Sequence, residues 1–172
     1  LNKASQNLWI NQIELFGDFS KLKKMILLSY SKAPYFNVIM KLIDEIVSFD
    51  NSNLAVFLEN SITIICGYLK IGTNIICSSA IKKNNELKGE AKIMHICKKL
   101  GAANYLNAIG GIDLYNKAEF ESNGIDIHFL KTNLSTYKQF NNDFIPGLSI
   151  IDMIMFNSVT TVQEMLEDYE LV

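Results

Sequence analysis

The sequence predicts an α/β protein with a mostly parallel, Rossmann-like sheet flanked by helices and followed by additional C-terminal helices. Two observations carry this prediction. Three times in the middle of the chain a helical pattern is followed by a glycine and then a short apolar run, at Gly72, Gly101 and Gly124. A glycine just past a helix accepts the left-handed backbone that closes the last turn. Strands that alternate with helices in this way are typical of a parallel sheet.

A strand and three helices precede this block. Alternating apolar residues indicate a strand over 8–15, and apolar residues three or four apart indicate helices beginning near Ser20, Pro34 and Leu54. The middle of the third helix, 61–66, is β-branched and also resembles a strand. We interpret it as helix because the 3.6-residue period continues through it.

The block itself contains predicted strands over 73–77, 103–106 and 125–130, the last two separated by a short helix over 115–123. A polar, loop-like segment follows up to Gly147. Ser149 then caps a helix, with Asp152 three residues on in the capping-box position, and a final helix runs to about Tyr169. We therefore assign Asp152 a structural role rather than a catalytic one.

Composition limits the possible functions. The chain has 172 residues, of which 49% are hydrophobic, and we interpret residues 1–172 as one domain. Its net charge of -2 argues against a nucleic-acid partner, which would require a basic face. All sixteen basic residues are lysines, so lysines, hydroxyls and backbone N–H groups must hold any phosphate or carboxylate. No apolar stretch is long enough to span a bilayer.

Three cysteines, Cys66, Cys77 and Cys97, lie in apolar runs. An odd number at core-like positions indicates free thiols in a reducing compartment, so we expect a cytoplasmic protein. The first residue is a leucine rather than a methionine, which leaves open a further segment upstream.

The loops at the carboxyl ends of parallel strands meet at one edge of the sheet, where ligands bind. Ser78 and Ser79 follow the first predicted strand of the block, with Lys82 and Lys83 close behind. Hydroxyls, N–H groups and ammonium charge together suit an anion. The alternative is a helix cap followed by solvated lysines.

Asn107, Gly110 and Gly111 follow the second strand of the block. A double glycine permits close approach of backbone to a ligand, although it also occurs in ordinary turns. The spacing is not that of a dinucleotide fingerprint. Tyr137 lies in the long loop after the third strand, and we place it at the same edge.

His128 alternates with apolar residues near the carboxyl end of the third strand. It is the candidate acid or base, the alternative being a half-exposed histidine beside a helix. With two histidines and scattered cysteines, no metal-binding spacing is present. The residues indicate neither a cofactor nor a reaction.

Several stretches together resemble the WbqC-like family of bacteria. The most specific are the KAPYF motif at 32–36 and the LSIID motif at 148–152. The others lie at Trp9-Ile10, Tyr30-Ser31, 69–73, Ser78-Ser79, 100–102, Tyr105, 110–115, Phe120, Gly124-Ile125, Phe129-Leu130, Tyr137, Gln139, 144–147 and Phe156-Asn157. The resemblance spans nearly the whole chain.

The resemblance implies a role in the assembly of O-antigen or another surface polysaccharide. Transfer of a small group such as glycine to a sugar has been suggested for the family, so the implied partner is a sugar or nucleotide-sugar. Family members usually begin with a further strand-helix-strand segment that carries a Gln-Pro motif and arginines, and this chain begins after it. That segment and the later serine pair are also similar to nucleotidyl-transferase-like Rossmann domains.

Three hypotheses follow. The first is a cytoplasmic transferase that modifies a sugar intermediate, with Ser78, Ser79, Lys82, Asn107, Gly110, Gly111 and Tyr137 contacting the substrate and His128 nearby. The second is a noncatalytic binding or scaffold subunit of a glycan-assembly complex. The third is a purely structural domain, which would bury the Gly110-Gly111 loop against another helix with no cavity. The oligomeric state is not predicted.

Overall fold

The computed structural model describes residues 7–141 and 143–172. In chain order the α-helices are α1 (Ser20–Tyr30), α2 (Phe36–Val47), α3 (Leu54–Tyr68), α4 (Gly89–Leu100), α5 (Lys117–Ser122), α6 (Ile150–Phe156) and α7 (Val159–Leu166). The strands of the sheet are β1 (Asn104–Ala108), β2 (Asp126–Thr132) and β3 (Tyr169–Leu171). The protein is therefore a mixed α/β protein with a small sheet. Among these described helices, none is long and apolar enough to cross a bilayer.

The described chain forms two compact units. The first takes the chain up to Ile75 and again from Ser135 to Leu166, and contains α1, α2, α3, α6 and α7. The second runs from Ile76 to Leu134 and again from Glu167 to Val172, and contains the sheet with α4 and α5.

The first unit is held by an apolar core that helices from both ends of the sequence share. Ile39 of α2 and Met155 of α6 are fully buried, and Val162 of α7 joins them. Each of these helices presents one apolar stripe to the core, as the 3.6-residue period predicts. The full set of buried residues is Ile26, Ala33, Ile39, Ile43, Leu69, Ile154, Met155 and Val162.

The second unit is a three-stranded sheet in the order β1-β2-β3. β1 pairs with β2 in parallel, with Asn107 opposite Phe129, and β3 pairs with β2 antiparallel, with Leu171 opposite Leu130. The core lies on one face of the sheet and consists of Cys97, Phe120, Ile125, Ile127 and Phe129. The parallel pair confirms part of the prediction, but a sheet of three strands with an antiparallel edge does not establish a Rossmann-like fold.

Two predicted strands are absent. Residues 73–77 run without any ladder in the described structure and end in a 3₁₀ turn at Ser78–Ala80. Of the predicted strand over 8–15, Ile10–Gln12 is a 3₁₀ turn and Glu14 alone bridges to Asn53. Both segments have β-branched or alternating composition, but a strand also requires a neighbour to supply the other half of its hydrogen bonds.

The glycine predictions hold at two of three positions. Gly101 closes α4 at φ +65° and Gly124 follows α5 at φ +74°, both left-handed. At the end of α3, however, Lys70 takes the left-handed conformation at φ +57° instead of Gly72. The predicted helix over 54–69 is confirmed by α3, including its β-branched middle.

Candidate functional site

Asp152 lies in the first turn of α6, where the sequence predicts a capping box. Ser149 does cap this helix, since its side chain accepts a hydrogen bond from the Ile151 N–H at 3.3 Å. Asp152 is only 3% exposed, and its carboxylate accepts hydrogen bonds from side chains outside this helix. The capping-box assignment is therefore wrong, because the carboxylate is directed into the unit rather than back along its own helix.

Three donors meet at this buried carboxylate. The Tyr30 hydroxyl donates to Oδ1 at 3.0 Å, and the Tyr137 hydroxyl donates to Oδ2 at 2.6 Å. The Gln139 Nε2 donates to Oδ2 at 2.8 Å. We call these four residues the Asp152 cluster. A carboxylate in an apolar interior is stable only with such partners, since an unpaired buried charge is strongly unfavourable.

Gln139 fixes the loop that carries Tyr137. Its Oε1 accepts from the Ile145 N–H at 2.7 Å, and its Nε2 also donates to the Ile145 carbonyl at 3.1 Å. These partners determine which end of the amide is oxygen and which is nitrogen. Between them the backbone turns sharply at Phe140, which has φ +50° and packs edge-to-face on Phe156 at 4.7 Å between ring centroids.

The two phenols of the Asp152 cluster are held in their protonated form. Burial, reinforced by the hydrogen bond to Asp152, raises the pKa of Tyr30 to about 12 and that of Tyr137 to about 12. Near neutral pH both therefore keep their protons and donate hydrogen bonds to the carboxylate, while their oxygen lone pairs can still accept. The cluster joins α1, the 137–145 loop and α6.

The sequence pattern alone did not indicate this cluster. Tyr30, Tyr137, Gln139 and Asp152 all belong to stretches that carry the family resemblance, but they are up to 122 positions apart. One local signal was present. Asp152 shares a helix face with Met155, three residues on, and a carboxylate on an apolar face needs donors from elsewhere.

The serine pair of the second unit lies in a 3₁₀ turn rather than after a strand. Ser78 and Ser79 are exposed, as is Lys82. The Ser78 carbonyl accepts a hydrogen bond from the Lys83 ammonium, and the Ser79 hydroxyl lies 3.4 Å from the Cys77 sulfur. Lys83 thus stabilises the turn itself.

Asn107 and Gly111 approach each other closely at the carboxyl end of β1. The Asn107 Oδ1 accepts from the Ala108 N–H at 2.9 Å, while a methyl group on Gly111 would lie 2.5 Å from the Asn107 Nδ2. Gly111 is buried, whereas Gly110 is exposed with open space around it. A side chain at 111 would therefore displace the Asn107 amide, whereas one at 110 would meet open space, a difference that the sequence pattern alone did not reveal.

His128 pairs with Asp126 within β2, at 3.0 Å between Nε2 and Oδ2. Its side chain is 31% exposed. His128 lies opposite Leu106 in the register, one residue before Asn107. Because side chains alternate along a strand, His128 and Asn107 lie on opposite faces of the sheet.

The predicted site residues are divided between the units. Tyr137 belongs to the first unit, and the others belong to the second: Ser78, Ser79, Lys82, Asn107, Gly110, Gly111 and His128. The three cysteines of the chain are free thiols, as the sequence predicts.

An open hollow of about 640 Å³ lies in the first unit, between α1 and α2. Its lining includes Asp18, Lys23, Asp44 and Glu45, and the Lys23 ammonium pairs with Asp44 at 2.6 Å. Sequence reasoning did not single out these residues.

Comparison with known proteins agrees with the motifs. The model of the WbqC-like protein family matches residues 1–164, which is nearly the whole chain. No match was found among curated proteins or among solved structures. The matched residues include the segments that supply the Asp152 cluster and the Asn107–Gly111 turn, and the chain therefore belongs to the WbqC-like protein family.

Proposed function

We propose that this protein is a cytoplasmic transferase that modifies a sugar intermediate in the assembly of a bacterial surface polysaccharide such as O-antigen. The group transferred is a small acyl or aminoacyl group such as glycine, and the sugar is free or nucleotide-linked. The observation that carries the proposal is the family match over residues 1–164. The family name supports a role in polysaccharide synthesis, and the transfer reaction is our extension of it.

The second unit supplies the proposed substrate contacts. Ser79 and Lys82 offer an exposed hydroxyl and an ammonium group, which suit a phosphate in a chain without arginine. The Asn107 side chain carries both a donor and an acceptor, which suits a sugar hydroxyl. The hydrogen bond from the Ala108 N–H holds that amide in place.

Ligand binding is tested by thermal unfolding of the purified protein with a panel of nucleotides and nucleotide-sugars. A ligand at a hundred times its dissociation constant is expected to raise the midpoint by roughly 5 to 10 °C. The variant Asn107→Ala should lose that rise while keeping the midpoint of the free protein. The absence of any shift across the panel would contradict the proposal.

The reaction is tested in cells. A strain lacking the protein is complemented with the wild type, with Asn107→Ala or with Ser79→Ala, and the polysaccharide is analysed by mass spectrometry. We expect the glycan to lose a small substituent in the deletion strain and in both variants. Ser122→Ala, which removes an exposed hydroxyl of the same unit, is the matched control and should restore the glycan.

A noncatalytic binding or scaffold subunit is the second candidate. It is favoured by the open face of the sheet, where Leu106 and Leu171 are each 49% exposed. A parallel strand pair is normally covered on both faces. On this alternative, Ser79→Ala and His128→Gln leave the polysaccharide unchanged, whereas Leu106→Glu abolishes it.

A further inference from the structure

The outward face of α1 combines lysines with exposed apolar side chains. Lys21, Lys24, Met25 and Leu28 are spaced i, i+3, i+4 and i+7, so they form one stripe along the helix. Leu28 is 73% exposed and Met25 is 56% exposed, and both lysines are exposed as well. We call these four residues the α1 stripe.

The opposite face of the helix is the one that packs on the unit. Ile26 is 6% exposed and belongs to the core, and Tyr30 donates to Asp152. The acidic residues Asp18, Asp44 and Glu45 line the hollow beside Lys23, and Asp44 pairs with Lys23 there. The helix itself contains no acidic residue. Lys21 and Lys24 therefore have no acidic partner on their own helix.

We propose that the α1 stripe docks on an anionic lipid bilayer. Met25 and Leu28 would enter the boundary between headgroups and acyl chains, while Lys21 and Lys24 extend their ammonium groups to lipid phosphates. Juxtaposed lysine and apolar side chains suit this boundary because the lysine stem is apolar and its head is charged.

Two observations favour lipid over protein. Lysine is depleted in the cores of protein interfaces, yet it makes up half of the α1 stripe. A second copy related by a two-fold axis would bring four lysines together with no acidic residue of α1 to neutralise them. An anionic bilayer supplies the missing negative charge across the whole stripe.

The test is sedimentation of the purified chain with vesicles of phosphatidylglycerol and phosphatidylethanolamine, compared with vesicles of phosphatidylcholine alone. We expect binding to the anionic vesicles that weakens between 50 mM and 500 mM salt. Lys21→Gln with Lys24→Gln should weaken partitioning roughly thirtyfold, since each lysine near such a surface is worth about fivefold. Met25→Ser with Leu28→Ser should weaken it by about tenfold or more.

Matched controls come from α2. Val38 is 52% exposed and Lys41 is exposed, so Val38→Ser and Lys41→Gln remove the same kinds of side chain away from the stripe. Both should bind as the wild type, within about twofold. Circular dichroism confirms that each variant is folded.

Three results would overturn the proposal. The first is equal binding to anionic and neutral vesicles, or binding to neither. The second is unchanged binding by the lysine variant. The third is an oligomer in sedimentation velocity that disappears in the Met25 and Leu28 variant, which would make the stripe a protein interface. Vesicle binding is measured without any substrate, so its failure and the failure of the transferase proposal are distinguishable.

Discussion

The two units of this protein differ in where they place a carboxylate: one buries it and the other exposes it. The first unit buries a carboxylate, Asp152, and satisfies it with three side-chain donors. The second unit has a core of aromatic and aliphatic residues and a thiol, and its carboxylate–histidine pair, Asp126 and His128, lies on the surface. Buried polar clusters hold segments in one arrangement, whereas exposed polar groups remain available to ligands. The comparison favours a structural role for the Asp152 cluster, whereas the Asp126–His128 pair stays accessible to solvent.

The largest expected effect comes from the aromatic core of the second unit. Phe120 is fully buried and stacks on Tyr105 at 5.9 Å between ring centroids. Phe120→Ala should lower the free energy of unfolding by about 3 to 5 kcal/mol. In amide hydrogen exchange, protection should fall in residues 76–134 while α2 stays protected.

The control for this variant is Phe16→Ala, whose side chain is 72% exposed and whose loss should cost less than about 0.5 kcal/mol. Equal loss of protection across both units would break the comparison. It would also support the prediction of one domain over 1–172.

Asp152→Asn tests the buried carboxylate. The amide nitrogen cannot accept, so one side of the carboxyl group loses its donors: either Tyr30, or Tyr137 together with Gln139. The expected cost is about 2 to 4 kcal/mol. Urea unfolding measures the change. Asp113→Asn makes the same substitution at an exposed position and should change stability by less than about 0.5 kcal/mol. A stable Asp152→Asn protein with lost polysaccharide function would instead make the Asp152 cluster catalytic.

Gly111→Ala tests the turn after β1. Its methyl group would lie 2.5 Å from the Asn107 amide, so the side chain of Asn107 must move, at a cost of about 1 to 3 kcal/mol. Gly110→Ala, where nothing lies within 4 Å, is the matched control and should be nearly neutral. In a double-mutant cycle, Asn107→Ala should remove most of the cost of Gly111→Ala. Additive effects would show that the contact is not what requires glycine.

The smallest expected effect is the loss of stability at alkaline pH. Burial, reinforced by a hydrogen bond with Asp152 for Tyr30 and Tyr137 and with Tyr115 for Tyr105, raises the pKa values of these three tyrosines each to about 12. The unfolded chain loses these protons near pH 10, before the folded protein does. Stability from this source is therefore complete below pH 10 and falls as the pH rises from about 10 to 12.

Absorbance at 295 nm follows the titration of all seven tyrosines of the chain, and Tyr105→Phe assigns the contribution of Tyr105. Asp152→Asn should lower the pKa values of Tyr30 and Tyr137 and leave the pKa of Tyr105 unchanged, because only the first two donate to the carboxylate. If all three shifted together, the two polar centres would not be independent.

Much of the local structure could be predicted from the sequence. The helical period located α1 to α4, and the left-handed turns at Gly101 and Gly124 followed from glycine next to a helix end. The alternation of Ile125, Ile127 and Phe129 correctly predicted a strand with one buried face. These features depend on residues within a few positions of each other, so their physical causes are present in the sequence itself.

What only the tertiary structure decided depends on distant partners. Residues 73–77 have strand composition but no neighbouring strand among the described residues. β3, whose first residue Tyr169 was predicted as the end of a helix, forms because β2 offers it a free edge. Asp152 was a plausible cap by spacing and became a buried acceptor because Tyr30, 122 residues earlier, is brought to it by packing. A hydrogen bond between segments so far apart leaves no periodic trace in the chain, and only the assembled core determines which donors meet which acceptor.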